Sequence, residues 1–317
     1  MTLLPSHRRR ACGMALLVVL VVIALAGTVL TMLARQSCER AVLAAQEASA
    51  LQGRWGQTGC RAVYLPVAER LIDEARRDGA PPTTAVRRSI TLGGVRFDVV
   101  VADEQAKANA NRLLARGKSD GLAQSLRRLM ADQRRPLAIR LRPGQPRPGL
   151  ISKAPQHYVS FDQLFDAAPP EVLLADDRGA AVASAIDRVG CWGSGQLNVR
   201  RAERLVMHEM LEGVLNEREL DLLLRLREES PQFTLDDFFA RLRELDAAEP
   251  HEESPTDKAA AARREEQQRP VREAVTDTSR CHSLWTVYGD GARRRYRLDV
   301  VQEGDPENDA QEWLFTW

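Results

Sequence analysis

The sequence predicts an α+β fold, in which a long N-terminal transmembrane helix packs on a small antiparallel sheet and a large all-α insert interrupts that sheet. Three observations predict it. Residues 14–34 form an uncharged apolar run. The turn signals Gly93-Gly94 and Asp290-Gly291 each separate two apolar segments, which predicts one hairpin before the insert and one after it. Between the hairpins, apolar residues recur at helical spacing.

The apolar run predicts a single-pass membrane anchor. As a helix, residues 14–34 extend about 31 Å, enough to cross the hydrocarbon core of a bilayer. Arg8, Arg9 and Arg10 precede the run and place the N-terminus in the cytoplasm, so the chain after Arg35 lies on the far side of the membrane. A secretory signal peptide would have a shorter apolar core and an Ala-x-Ala-like cleavage site.

The short basic leader, residues 1–13, ends in Gly13 immediately before the run. It resembles the prepilin-peptidase site of type IV pilin-like proteins. That resemblance implies cleavage between Gly13 and Met14, followed by methylation of the new N-terminal amine. An ordinary signal anchor is the alternative interpretation of this segment.

The composition limits the function and the compartment. Lys and Arg number 45 against 44 Asp and Glu, a balance that argues against a dedicated nucleic-acid-binding protein. Beyond the leader the chain has four cysteines, which would lie where disulfides persist. Of the three possible pairings, the sequence analysis favours Cys38–Cys60 with Cys191–Cys281.

The remaining elements follow in order. The glycines Gly53, Gly56 and Gly59 predict the end of the long helix. In the first hairpin, Val95, Phe97, Val99 and Val101 share the face that should pack on this helix. Further along the chain, Asn198 is the predicted N-cap of a later helix. The predicted divisions are a leader (1–13), a transmembrane helix (14–34), the first part of the α/β domain (35–107), a first helical unit of the insert (108–185), a return strand with a second, helix-hairpin-helix-like unit (186–248), a charged flexible linker (249–278) and C-terminal strands that complete the sheet (279–317).

No catalytic or metal constellation is visible in the sequence, which predicts that the protein is not an enzyme. His208-Glu209 begins a His-Glu-x-x-His zinc motif, but Glu212 stands where the second histidine is needed. The acid pairs Asp176-Asp177 and Asp236-Asp237 leave calcium binding open, since a solvated loop or a helix N-terminus explains them equally well.

The order of short motifs carries a resemblance that spans the whole chain. After the first hairpin come Asp103, Glu104, Lys107, Asn109 and Asn111. Two further motifs follow: Phe161, Asp162 and Leu164, then Leu197, Asn198, Val199 and Ala202 after Gly195, with Ser279 before the final strands. In this order they resemble the K-type minor pseudopilins of bacterial type II secretion systems, which carry a helical domain inserted into a pilin-like fold. Gln163, Arg200 and Arg201 depart from the family pattern.

Val18 stands at the fifth position of the implied mature chain, where most pilins and pseudopilins have a glutamate. A carboxylate in a membrane helix is costly unless it has a partner. The K-type family lacks the glutamate, consistent with a subunit that has none above it, so the resemblance implies placement at the tip. The alternative is that Val18 is one more lipid-facing residue.

The resemblance implies a function in secretion. The protein would start and limit assembly of a pseudopilus that exports folded proteins, anchored in the bacterial inner membrane with most of the chain in the periplasm. The implied partners are other minor pseudopilins, the major pseudopilin, the prepilin peptidase and the inner-membrane secretion platform; no nucleic acid is expected, and some family members bind calcium. The implied membrane and helix-packing side chains are Leu16, Leu17, Val18, Val21, Val22 and Leu25.

A rival interpretation is a minor pilin of a type IV or DNA-uptake pilus that binds DNA or a surface through the insert. The arginines that keep this open are Arg127, Arg128, Arg134, Arg135, Arg140 and Arg142.

Overall fold

The computed structural model describes residues 8–77, 83–133, 137–142, 158–174, 184–230, 232–248, 266, 268–289, 294–304 and 310–317. The chain forms two compact units, Met1–Trp55 and Gly56–Trp317. The helices are α1 (Arg8–Tyr64), α2 (Ala68–Arg77), α3 (Ala110–Leu129), α4 (Pro170–Leu173), α5 (Ala185–Arg188), α6 (Arg204–Leu211), α7 (Glu217–Glu229) and α8 (Leu235–Ala248). The strands are β1 (Ala85–Leu92), β2 (Val95–Asp103), β3 (Ala108–Asn109), β4 (Ala138–Ile139), β5 (Phe165–Asp166), β6 (Val189–Gly190), β7 (Leu197–Asn198), β8 (Val275–Thr276), β9 (Cys281–Tyr288), β10 (Arg295–Gln302) and β11 (Gln311–Thr316).

The described residues of the first unit, 8–55, belong to α1, which continues to Tyr64. In the described part of the chain one helix is long and apolar enough to cross a membrane, and its most apolar window has no residue buried in the protein. Leu16, Leu17, Val18, Val21, Val22 and Leu25 are all about half exposed or more. So much exposed apolar surface is unfavourable in water and favourable in lipid, which fits a single-pass anchor.

The second unit contains a five-stranded antiparallel sheet in the order β1-β2-β9-β10-β11. Gly93 (φ +58°) and Gly94 (φ +80°) form the two-residue turn of the first hairpin, as predicted. The predicted turn of the second hairpin, at Asp290-Gly291, lies outside the described residues. Together with α1 and the helices between β2 and β9, this sheet confirms the α+β fold class.

One face of the sheet packs on the end of α1 and on α2. Cys60 and Ile72 from these helices share a core with Phe97, Val99 and Val101 of β2. The predicted contact between this face and the long helix is therefore confirmed.

The long helix does not end at its glycines, and here the prediction was wrong. α1 continues to Tyr64, because Gly56 lies directly over the buried ring of Phe97. A Cβ atom at position 56 would lie 2.1 Å from Phe97 Cζ. The glycine at this position permits close packing, and tertiary contact outweighs its low helix propensity.

The opposite face of the sheet carries the insert through a group of aromatic rings. Phe161 and Trp192 belong to the insert and meet edge to face, with ring centroids 5.5 Å apart. Phe161 also contacts Trp285 of β9 at 6.3 Å, and Trp192 contacts Phe315 of β11 at 5.8 Å. These contacts fix the insert to the sheet on the side away from α1 and α2.

The C-terminal end of the predicted flexible linker is folded. Residues 268–274 are helical and are followed by β8, which pairs in parallel with β7. Val271, Ala274 and Val275 are buried in the core, so a few well-placed apolar residues outweigh the charged composition of this stretch. Residues 249–265 and 267 lie outside the described part.

Candidate functional site

The motif residues that carry the resemblance meet where the insert leaves and rejoins the sheet. We call this buried cluster the junction; its members are Asp103, Glu104, Lys107, Asn109, Asn111 and Asn198. Short parallel pairings hold the two sides together, with Ala108 opposite Val189 and Leu197 opposite Val275.

Asp103 lies at the centre of the junction, at the end of β2. Its Oδ1 accepts hydrogen bonds from the backbone N–H groups of Gln105 (2.9 Å) and Ala106 (3.2 Å), and so caps the short 3-10 turn Glu104–Ala106. Its Oδ2 accepts from Asn198 Nδ2 (2.9 Å) and Arg201 Nη1 (3.1 Å). One carboxylate therefore holds the outgoing and returning chains together.

Ser279, which precedes β9, adds a further bond to this carboxylate, because its hydroxyl donates to Asp103 Oδ1 at 2.5 Å. The segment before the final strands and the returning chain of the insert therefore bond to the same carboxylate, that of Asp103. Ser279 is one of the motif residues that carry the resemblance, and this bond gives it a structural role.

Glu104 and Lys107 form a fully buried ion pair beside Asp103. The Ser283 hydroxyl donates a second hydrogen bond to Glu104 Oε1. Gly190 leaves room for the carboxylate, since a Cβ there would lie 2.6 Å from Glu104 Oε2. A buried pair of this kind costs desolvation energy and is retained only where its geometry and hydrogen bonds are good.

The two asparagines join α3 to the returning chain. Asn109 Oδ1 accepts from the Arg112 N–H and caps α3, and its Nδ2 donates to the Trp192 carbonyl at 2.8 Å. Asn111 donates to the carbonyls of Tyr158 and Cys191 at 2.8 and 2.9 Å. The first turn of α3 is thus fixed to the loop that carries Trp192.

Asn198 does not cap the helix that follows it, and that prediction was wrong. The N-cap of α6 is Glu203, because a turn intervenes in which the N–H groups of Arg201 and Ala202 bond to the Asn198 carbonyl. The Asn198 side chain instead accepts from the Arg200 N–H and donates to Asp103. The apolar residues of the same motif, Leu197, Val199 and Ala202, are fully buried.

Sequence reasoning did not identify Arg201 as part of this site. Arg201, noted only as a departure from the family pattern, is buried and pairs with Glu69, Asp73 and Asp103. His282 of β9 contacts Glu69 as well, at 3.1 Å. These contacts tie α2 to the junction. The available signal was an arginine between apolar motif residues, which requires acidic partners when it is buried.

The pKa of Glu69 predicts that the contacts between α2 and the junction are sensitive to acid. Burial raises the pKa of its carboxyl, but hydrogen bonds and charge from His282 and Arg201 outweigh burial and lower it from 4.5 to about 2. A carboxyl with a depressed folded-state pKa stabilises the fold above its unfolded pKa and loses that contribution as the pH falls towards 2. Stability should therefore decline between about pH 4.5 and pH 2, and the decline should be shallower in Glu69→Gln, measured by urea unfolding over this range. An unchanged slope would show that Glu69 contributes nothing.

Cys38, Cys60, Cys191 and Cys281 are free thiols in the structure, in contrast to the predicted pairing. Cys38 and Cys60 lie roughly six turns apart within α1, far beyond the reach of a disulfide. Cys191 and Cys281 are buried as small apolar core residues, and burial raises the pKa of both thiols well above the usual value. Such thiols are poorly reactive.

The described residues contain no cluster of three or more His, Cys, Asp or Glu side chains that could hold a metal ion. Asp237 is engaged at the start of α8, where its carboxylate accepts from the Thr234 N–H and hydroxyl at 2.8 Å. Asp176 and Asp177 lie outside the described residues. Glu209 of the partial zinc motif is buried against Arg128.

The fold of this chain is similar to that of a solved structure. No protein-family model and no curated protein matches the chain. A matching solved structure is the crystal structure of the GspK-GspI-GspJ complex from the type 2 secretion system of enterotoxigenic Escherichia coli. The match covers 86% of this chain and 99% of that chain, at 12% sequence identity and a TM-score of 0.40. At these values the likeness carries no weight for function.

Proposed function

We propose that this protein is a minor pseudopilin at the tip of a type II secretion pseudopilus, where it helps to initiate and limit assembly. The observation that supports this most is the bond between Asp103 and Asn198. These residues come from two separate motifs of the resemblance, one before the insert and one after it. Their contact gives both motifs the same structural role: it attaches a large insert to a sheet that packs on the long helix.

The proposed mechanism is mechanical. Before assembly, residues 14–34 anchor the subunit in the inner membrane with the folded part in the periplasm; after assembly, the same helix packs against those of other minor pseudopilins and the major pseudopilin. The insert would cover the tip of the filament and prevent the addition of a subunit above it. The amine of a neighbouring subunit would need a carboxylate at this position, and Val18 is uncharged. Val18 therefore fits a subunit that has no other subunit above it.

Processing by prepilin peptidase gives a direct test. Mass spectrometry of the mature protein should show an N-terminus at Met14 carrying a methyl group, with residues 1–13 removed. Gly13→Phe should retain the leader, because a bulky side chain blocks the cleavage position, while Gly27→Ala in the same helix should be processed normally since its Cβ has open space. An intact leader in the wild type, or a cut beyond Ala34, contradicts the proposal.

The secretion function itself is tested by deleting the gene and measuring export of a folded exoprotein. Export should stop, and should return with the wild-type gene. Continued export in the deletion strain would refute the proposed function.

The DNA-binding alternative has little support in the described arginines. Arg128 pairs with Glu209 and Glu212, and Arg140 and Arg142 both pair with Asp166. Arg134 and Arg135 lie outside the described residues. These carboxylates offset only part of the basic charge, since Arg140 and Arg142 share one carboxylate and Arg127 is exposed. A partly neutralised surface attracts phosphate less strongly. Salt-dependent retention of DNA in a filter-binding assay would instead favour the alternative.

A further inference from the structure

The two edges of the five-stranded sheet differ in charge. Edge strand β1 presents the exposed side chain of Arg88 and also carries Arg87, which pairs with Asp187; charges on an edge oppose pairing with another chain. Edge strand β11 has a single charged residue, Glu312, which is already paired with Arg61. β11 therefore lacks the protection that β1 has.

The exposed apolar residues show the same asymmetry. In the described part of Gly56–Trp317, three large apolar side chains are exposed, and two of them lie at this edge: Leu314 (54% exposed) on β11 and Trp317 (41% exposed) directly after it. The third is Val63 of α1. An edge strand that combines unpaired backbone groups with exposed apolar side chains is a template for strand addition.

The register of β11 shows which backbone groups are free. Tyr296 and Trp317 exchange two backbone hydrogen bonds, of 3.2 and 3.0 Å, so Trp317 and the residues that alternate with it face β10. The N–H groups of Glu312, Leu314 and Thr316 therefore point away from the sheet. A partner strand would meet these three residues.

A groove of about 460 Å³ lies beside this edge, between the end of α1 and strands β10 and β11. Apolar atoms of Ala62, Leu65 and Val301 contribute to its lining. Its polar lining includes Arg61, which pairs with Glu312, His282, which pairs with Glu69, and the carboxylate of Glu303. Among the described residues no ion pair involves Glu303. The groove is thus suited to a cationic side chain with an apolar stem.

We propose that β11 is a docking edge on which an extended segment of a neighbouring pseudopilin adds as a sixth strand. Its apolar side chain would cover Leu314, and its lysine or arginine would enter the groove beside Glu303. Main-chain hydrogen bonds supply affinity in such strand addition, and side-chain pockets supply specificity. A symmetric pairing with β11 of a second copy fits less well, because residues 311–316 contain no basic side chain to meet Glu303. The choice of partner rests on the proposed function.

Proline substitution tests the edge directly. In Leu314→Pro the outward N–H and the exposed leucine are lost, but every hydrogen bond between β10 and β11 is retained. Using full-length protein in detergent and the purified minor pseudopilins encoded beside its gene, we expect affinity to fall at least about tenfold, equal to 1.4 kcal/mol. Leu314→Thr keeps the N–H and should have a smaller effect.

The matched control lies on the other edge. The bond from the Asp103 N–H to the Thr84 carbonyl, with the register of β1, places the Thr91 N–H away from β2. Thr91→Pro therefore removes an outward N–H from β1 and should leave binding unchanged. Glu303→Lys should weaken binding by about three- to tenfold and reduce its dependence on salt.

Each outcome decides between the alternatives. Equal binding by Leu314→Pro and wild type overturns the docking edge and leaves the proposed function standing. If the wild type binds none of the pseudopilins, both the edge and the choice of partner fail. If sedimentation shows that Leu314→Pro abolishes self-association without affecting the pseudopilins, a second copy occupies the edge and the proposed partner is wrong.

Discussion

Gly56→Ala is expected to destabilise the folded part of the chain by about 3 kcal/mol. The added methyl group would lie 2.1 Å from Phe97 Cζ, and the ring is fully buried in the core. The end of α1 would have to lift from β2 and disrupt the core around Cys60. Urea unfolding of the full-length protein in detergent, followed by fluorescence of the buried Trp192 and Trp285, measures the change.

The matched control is Gly59→Ala, one turn further along the same helix. There the nearest atom to a new Cβ is Leu92 Cδ1 at 3.9 Å, an ordinary contact. Alanine should therefore stabilise the helix by up to about 1 kcal/mol. A second variant, Phe97→Leu in the Gly56→Ala background, should recover part of the loss. Equal stability of the two glycine variants would show that close packing at Gly56 is unimportant.

Asp103→Ala is expected to cost about 3–5 kcal/mol, the largest effect of any single substitution considered for this chain. The change leaves Asn198, Ser279 and two backbone N–H groups without their acceptor, and removes one partner of the buried Arg201. Because the insert and the final strands depend on this carboxylate, the two should loosen together. Urea unfolding and protease digestion of the insert measure stability and detachment.

Asp98→Ala, on the same strand, is the control for Asp103. Asp98 also bonds an arginine and a serine, Arg96 and Ser89, but it is exposed to solvent. Exposed pairs of this kind contribute less than about 1 kcal/mol. If both aspartate variants unfold at similar urea concentrations, the junction is not the main support of the insert.

Local signals in the sequence predicted local structure well. The first hairpin followed from Gly93-Gly94 and the alternation of Val95 to Val101, because turn geometry and strand period are set by neighbouring residues. The membrane segment followed from composition alone. Strands β9, β10 and β11 lie within residues 279–317, where C-terminal strands were predicted.

Contacts between distant segments were harder to predict. The motif residues were identified as a set, but their meeting at Asp103 depends on how the insert returns to the sheet. The ion pair of Arg201 with Glu69 joins residues on α2 and after β7, and no periodicity links the two. The glycines of α1 predicted a helix end because propensity is a local quantity, whereas the close approach of Phe97 is not.

The root of the insert is narrow, since the chain departs at Ala108 and comes back beside it at Val189, then departs again at Leu197 and comes back beside it at Val275. When the two ends of a segment are held side by side, its length and surface can vary at little cost to the rest of the domain. The insert is therefore free to diverge rapidly among homologues, exchanging charge, loops and even whole helices. The six residues at its base are constrained by one another and should be the slowest part of the chain to change.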